Sequence, residues 1–165
     1  MDAEQEKRLD KMIIRSLNEV YEKDCYLISN EPCTASENHV GERAIVFRFA
    51  HYLQNALDND DFFKNYNLDC EYNRNGRHQK YLQAVNSNTY PDVILHKRGS
   101  NKHNLMVIEF KGYWNSDQTN DIKKICGFTS ERDVYRFAVG YTILIGRKFE
   151  EVEIGKFMWG KQVSI

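Results

Sequence analysis

Residues 91–111, PDVILHKRGSNKHNLMVIEFK, carry two apolar stretches on either side of a basic, turn-like KRGSNKH. Each stretch holds a carboxylate where a strand ordinarily takes an apolar side chain: Asp92 in the first and Glu109 in the second, with Lys111 two residues further on. The composition predicts strands over about 91–97 and 105–111. In an antiparallel hairpin with Lys97 opposite Asn104, Asp92 lies directly across from Glu109, with Cβ atoms about 4.5–5.5 Å apart. Alternation then sets Asp92, Ile94 and His96 on one face with Leu105, Val107, Glu109 and Lys111. A slip of one residue in either strand would separate the acids.

Two carboxylates at that spacing repel each other unless a proton or a cation lies between them. Mg²⁺, a hard cation that takes carboxylate oxygens and keeps several waters, meets the need. Lys111 offsets part of the charge without chelating. A helix predicted over about 41–57 adds a third acid: Glu42, Val46, Phe49 and Leu53 share one stripe, so Glu42 points toward the sheet from the first turn. An inward carboxylate needs compensation, which a metal held by Asp92 and Glu109 would supply.

Outward from this centre, residues 3–22 read as an amphipathic helix with Leu9, Ile13, Leu17 and Val20 on one face. A loop over 28–38 follows, with Ser36 or Asn38 as candidate caps for the next helix. FFKNY adds a turn after that helix, and 68–73 alternates like a half-buried strand. Residues 74–90 read as a polar loop, 117–128 as a short helix with Ile122 and Ile125 inward, and 137–146 as an interior strand. The tail, 147–165, has only weak strand signals. The expectation is one mixed α/β domain over 1–165, with an N-terminal helix at 3–22, a core at about 36–146, and helices packed on a central sheet.

Of the 165 residues 41% are hydrophobic, enough for a core, and the formal net charge of −1 excludes a uniformly basic nucleic-acid binder. There is no signal-peptide pattern and no apolar run of membrane-spanning length. The four cysteines form no CxxC pair, which reads as reduced thiols in a cytoplasmic protein. Cys25, Cys33 and His39 match the spacing of no common zinc site.

Pro91-Asp92 and Glu109-Phe110-Lys111 on neighbouring strands, after a helix with an inward Glu42, resemble the PD-(D/E)XK superfamily of restriction-endonuclease-like phosphodiesterases. The order helix, three strands, helix, strand over roughly 36–146 is similar to that family's core. The resemblance implies that Asp92, Glu109 and the Phe110 carbonyl bind Mg²⁺ or Mn²⁺. It implies Glu42 as a further direct or water-mediated ligand, and Lys111 as the residue that orients water and stabilises charge on the phosphate.

Arg74, Arg77, His78 and Lys80 lie in the segment leading to Asp92 and are expected near the acids as phosphate contacts, with Tyr81 or Tyr90 stacking on a base. Lys97, Arg98, Lys102 and His103 sit at the hairpin tip, roughly 20 Å from Asp92 at strand rise. Lys123 or Lys124 is a candidate phosphate ligand on the short helix; Lys124 is taken into the site. His51 reads as a partly buried structural residue, and Tyr135, Phe137 and Tyr141 as core. The expected function is a metal-dependent nuclease acting on nucleic acid, DNA in the first place, as a homodimer or beside a partner protein and without a membrane. DNA repair, junction resolution and defence against foreign DNA all fit. A non-catalytic nucleic-acid- or protein-binding module on the same fold, and a structural subunit of a larger complex, are the alternatives.

Overall fold

The computed structural model describes residues 1–28 and 40–165. Helix α1 (Ala3–Lys23) starts at Asp2, whose carboxylate accepts the Gln5 N–H at 2.8 Å while the Gln5 side chain accepts the Asp2 N–H at 2.9 Å. This reciprocal cap satisfies two of the orphan donors at the helix start. The expected stripe, Leu9, Ile13, Leu17 and Val20, is buried. Helix α2 (Glu42–Asp58) is capped by the backbone of Gly41, and its Val46, Phe49 and Leu53 are buried as the spacing required. Ser36 and Asn38, the expected caps, lie outside the described residues, as do Cys33 and His39 of the zinc trio.

The strands follow as β1 (Asn67–Cys70), the short β2 (Arg74–Asn75), β3 (His78–Gln79), β4 (Tyr81–Leu82) and β5 (Ser87–Asn88), then β6 (Val93–His96) and β7 (Met106–Gly112). Helix α3 (Thr119–Thr129), β8 (Val139–Ile145), β9 (Glu153–Met158) and β10 (Lys161–Val163) complete the chain. The main sheet runs β1-β6-β7-β8-β9-β10, and only the pair β7–β8 is parallel. A parallel pair needs a crossover, and α3 supplies it. The fold is α/β: a six-stranded mixed sheet with α1 and α2 on one face and α3 on the other.

Strand alternation divides the core. Val93, Leu95, Met106, Ile108, Phe110, Tyr141 and Ile143 pack with α1 and α2. Ile94 and Val107 pack with Ile125 and Phe128 of α3. Helix α3 lies close on β8 because Gly140 has no side chain: a Cβ there would stand 2.7 Å from Ile125 and 2.9 Å from Thr129.

The weak strand signals of the tail resolve into two strands of the main sheet: β9 pairs with β8 through five residues, and β10 closes a hairpin on β9. Two expectations need correction. Residues 74–90 are not a plain loop but two small antiparallel ribbons, β2–β3 and β4–β5. Ile122 is 40% exposed; the inward stripe of α3 is Asp121, Ile125 and Phe128, rotated because Asp121 turns in toward two lysines. Among the described residues no helix is long and apolar enough to cross a membrane.

Candidate functional site

The β6–β7 register pairs Val93 with Ile108 and Leu95 with Met106, the alignment expected from the sequence. One step further, Asp92 stands across from Glu109, and another step sets Pro91 across from Phe110. Strand β7 therefore outruns its paired partner by four residues, and alternate N–H groups on that side have no ladder acceptor. Carboxylates take their place. The Phe110 N–H donates to Asp92 Oδ2 at 2.7 Å, and the Gly112 N–H donates to Glu42 Oε2 at 3.1 Å. Pro91 has no N–H to offer across the strand.

Glu109 is 2% exposed and faces α3. Lys124 Nζ donates to Glu109 Oε2 at 2.9 Å and lies 3.5 Å from Asp121 Oδ1. Lys111 Nζ lies 3.3 Å from Asp121 Oδ2, close enough for an ion pair but without the alignment of a hydrogen bond. Glu109 Oε1 is buried with no hydrogen-bond partner. The end of the hairpin thus gathers four acids, Glu42, Asp92, Glu109 and Asp121, against two lysines.

The acids respond as crowding dictates. Burial, reinforced by the Asp92 charge, pushes Glu109 up to about 8. Burial also pushes Asp92 up to about 6, against the Phe110 N–H that favours its charged form, with Glu42 adding repulsion. Glu42 is raised by burial too, opposed by Lys111. Lys124 is raised: burial works against its charge, and Glu109 and Asp121 outweigh it.

The four residues read from the motif, Glu42, Asp92, Glu109 and Lys111, do meet at one end of the sheet. Even so, among the described residues no three His, Cys, Asp or Glu side chains are gathered tightly enough to hold a metal ion as they stand. Glu109 is turned toward Lys124 and Glu42 is spent on Gly112. Lys124 is brought into the site, though its present partners are acids. Asp121 went unnoticed in the sequence because an acid in the first turn of a helix reads as a dipole-stabilising surface residue. Its spacing of three from Lys124 was the available signal.

The basic loop is placed elsewhere. Glu71 takes a left-handed conformation (φ 48°) and reverses the chain after β1. Tyr72 then packs edge-on against His96, and Asn75 accepts a bond from Asn101 in the β6–β7 turn. Arg74 lines a cavity with Gly99, Ser100 and Asn101 of the hairpin tip rather than standing beside the acids, and both Arg74 and Arg77 are exposed. Lys80 is 2% exposed, so its ammonium is withdrawn from the expected surface contact. Arg98 at the tip is paired with Asp69, and His51 is exposed rather than partly buried. Tyr81 and Tyr90 are both 46% exposed; Tyr135, Phe137 and Tyr141 are core.

Comparison of the chain with family models, with curated proteins and with solved structures finds no match.

Proposed function

We propose that this protein is a metal-dependent nuclease with a restriction-endonuclease-like core. The observation that carries the reading is the β6–β7 register, which sets Asp92 across from Glu109 at the one place where β7 outruns its partner. Crowded acids with raised proton affinity, inside a sheet rather than on a surface, are a common mark of functional sites.

The donors suit a hard divalent cation: Asp92, Glu109 and the Phe110 carbonyl would hold Mg²⁺ or Mn²⁺, with Glu42 reaching it directly or through water. When bound, such an ion would lower the pKa of a water and offset charge at a phosphodiester. The chain's own residues do the rest. Lys111 sits two residues after Glu109 on the same face, where its ammonium can orient water and meet charge developing on the phosphate. Lys124, 20% exposed, stands beside Glu109 as a second cation for phosphate oxygens. Asp121 holds both lysines in place. DNA is the proposed substrate; a homodimer or a partner protein would supply the target recognition that the site itself does not provide.

The test is a cleavage assay across single-stranded, duplex and branched DNA and RNA, with Mg²⁺, Mn²⁺ or EDTA. Expected is hydrolysis that needs the ion and disappears in Asp92→Asn while the circular dichroism spectrum is kept. Metal-independent binding without cleavage of any substrate would favour the non-catalytic module. Cleavage unchanged by Asp92→Asn would refute the site.

A further inference from the structure

At the opposite end of the hairpin from the acids lies a cavity of about 190 Å³, lined by Tyr72, Arg74, Lys80, His96, Gly99 and Asn101 among others. It is smaller than the clefts that take whole organic ligands. At its inner wall is an unusual cation. Lys80 is 2% exposed and, among the described residues, has no carboxylate within ion-pair distance; its Nζ donates a hydrogen bond to the Arg74 carbonyl at 2.6 Å. The ammonium otherwise rests over the Tyr72 ring at 4.5 Å and the Tyr135 ring at 5.6 Å. An ammonium carries three donors, and one carbonyl uses one of them. Burying a cation without a counter-charge costs several kcal/mol unless something compensates it.

The surroundings select the sign of a ligand. His96 bonds Asp69 at 2.9 Å and burial holds it below its ordinary value, so it is a neutral neighbour. Asp69, the nearest acid, is taken by Arg98 in a two-point contact and by His96. Arg74 lines the mouth with its side chain exposed, and Arg77 and Arg98 stand close in sequence to the wall. Asn75 and Asn101 add amide groups, and Gly76 and Gly99, both at positive φ, bring backbone to the rim without side chains.

We propose that this cavity binds a phosphate group, with Lys80 as the buried counter-charge and Arg74 as the closing contact. The proposal stands without the nuclease reading, because it needs neither the acids nor a metal. The phosphate has two sources, a free phosphate and a nucleic-acid backbone. The backbone source rests on the nuclease reading: His96 is four residues from Asp92, roughly 13 Å at strand rise, or about four base-pair steps of duplex.

The test is a titration of the metal-free protein with inorganic phosphate, followed by thermal unfolding and by amide chemical shifts, with chloride at matched ionic strength as control. Expected is a phosphate-specific rise in Tm with shifts at Gly76, Gly99 and Asn101. Lys80→Met and Arg74→Ala should each weaken binding at least tenfold. Arg74→Ala keeps the carbonyl that Lys80 uses, so it carries the test if Lys80→Met does not fold. A second arm compares duplexes of about 6 and 16 base pairs: a loss in Arg74→Ala confined to the longer one assigns the backbone, and equal affinities assign free phosphate. No rise beyond chloride, or equal binding by wild type and both pocket variants, overturns the proposal.

Discussion

Replacing Asp92 by asparagine should make the metal-free protein more stable at neutral and alkaline pH. Asp92 is held at about 6 against an ordinary 3.8. A carboxyl whose folded value is raised contributes favourably below its unfolded value, and that contribution is lost as pH rises through the folded value. For Asp92 the window is about pH 4 to 6; Glu109, raised to about 8, extends the loss upward. The two acids titrate as a pair, so the transition belongs to both. The difference between 3.8 and about 6 corresponds to about 3 kcal/mol of strain above the window. Asparagine still accepts the Phe110 N–H, though as a neutral acceptor it gives back about 1 kcal/mol. The net expectation is a gain of about 1–2 kcal/mol for Asp92→Asn in EDTA at pH 8, shrinking toward zero near pH 4. Urea denaturation at the two pH values reads it directly. Saturating Mg²⁺ should reverse the order, because only the wild type gains binding energy. Asp92→Asn less stable than wild type in EDTA at pH 8, or a difference independent of pH, would refute the reasoning.

Other outcomes follow from the same geometry. Lys111→Ala should keep metal binding and slow hydrolysis at least tenfold, seen as a lower kcat at unchanged metal affinity. Gly140→Val should destabilise by about 1–3 kcal/mol, since Ile125 and Thr129 of α3 leave no room for a Cβ and the helix must move off β8; urea midpoints check it. Lys156, 2% exposed and bonded to Asp10 at 2.7 Å and Glu6 at 2.6 Å, ties α1 to β9. Lys156→Met should cost about 3 kcal/mol by leaving Glu6 and Asp10 without their counter-charge, although Tyr141 still donates to Asp10, again as a urea midpoint shift.

The hairpin was legible because two continuous apolar runs flank a turn-like KRGSNKH and each carries one acid out of pattern. Its register brings Asp92, Glu109 and Lys111 together, and the helical stripe of Val46, Phe49 and Leu53 delivers Glu42. What sequence patterns missed depended on single backbone choices and on side chains meeting across elements. The reversal at Glu71 is a left-handed residue with no glycine to announce it, and it carried Arg74 to the far end of the hairpin. Lys80 reads as an accessible phosphate contact until Tyr72 and Tyr135 close over it. Asp121 reads as helix surface, and Lys124 as a phosphate contact, until Glu109 and Asp121 are seen to pair with that lysine. Strand β9 carries glutamate, glycine and lysine, and it gains its place only from pairing with the apolar β8.

Calorimetric titration with Mn²⁺ tests the central claim most directly, comparing wild type with Asp92→Asn and Glu109→Gln. The predicted result is binding by the wild type that is lost in both variants, each with its fold intact by circular dichroism. Binding of equal affinity in all three proteins, or none in the wild type with nucleic acid present, would contradict the assignment of Asp92 and Glu109 as metal ligands.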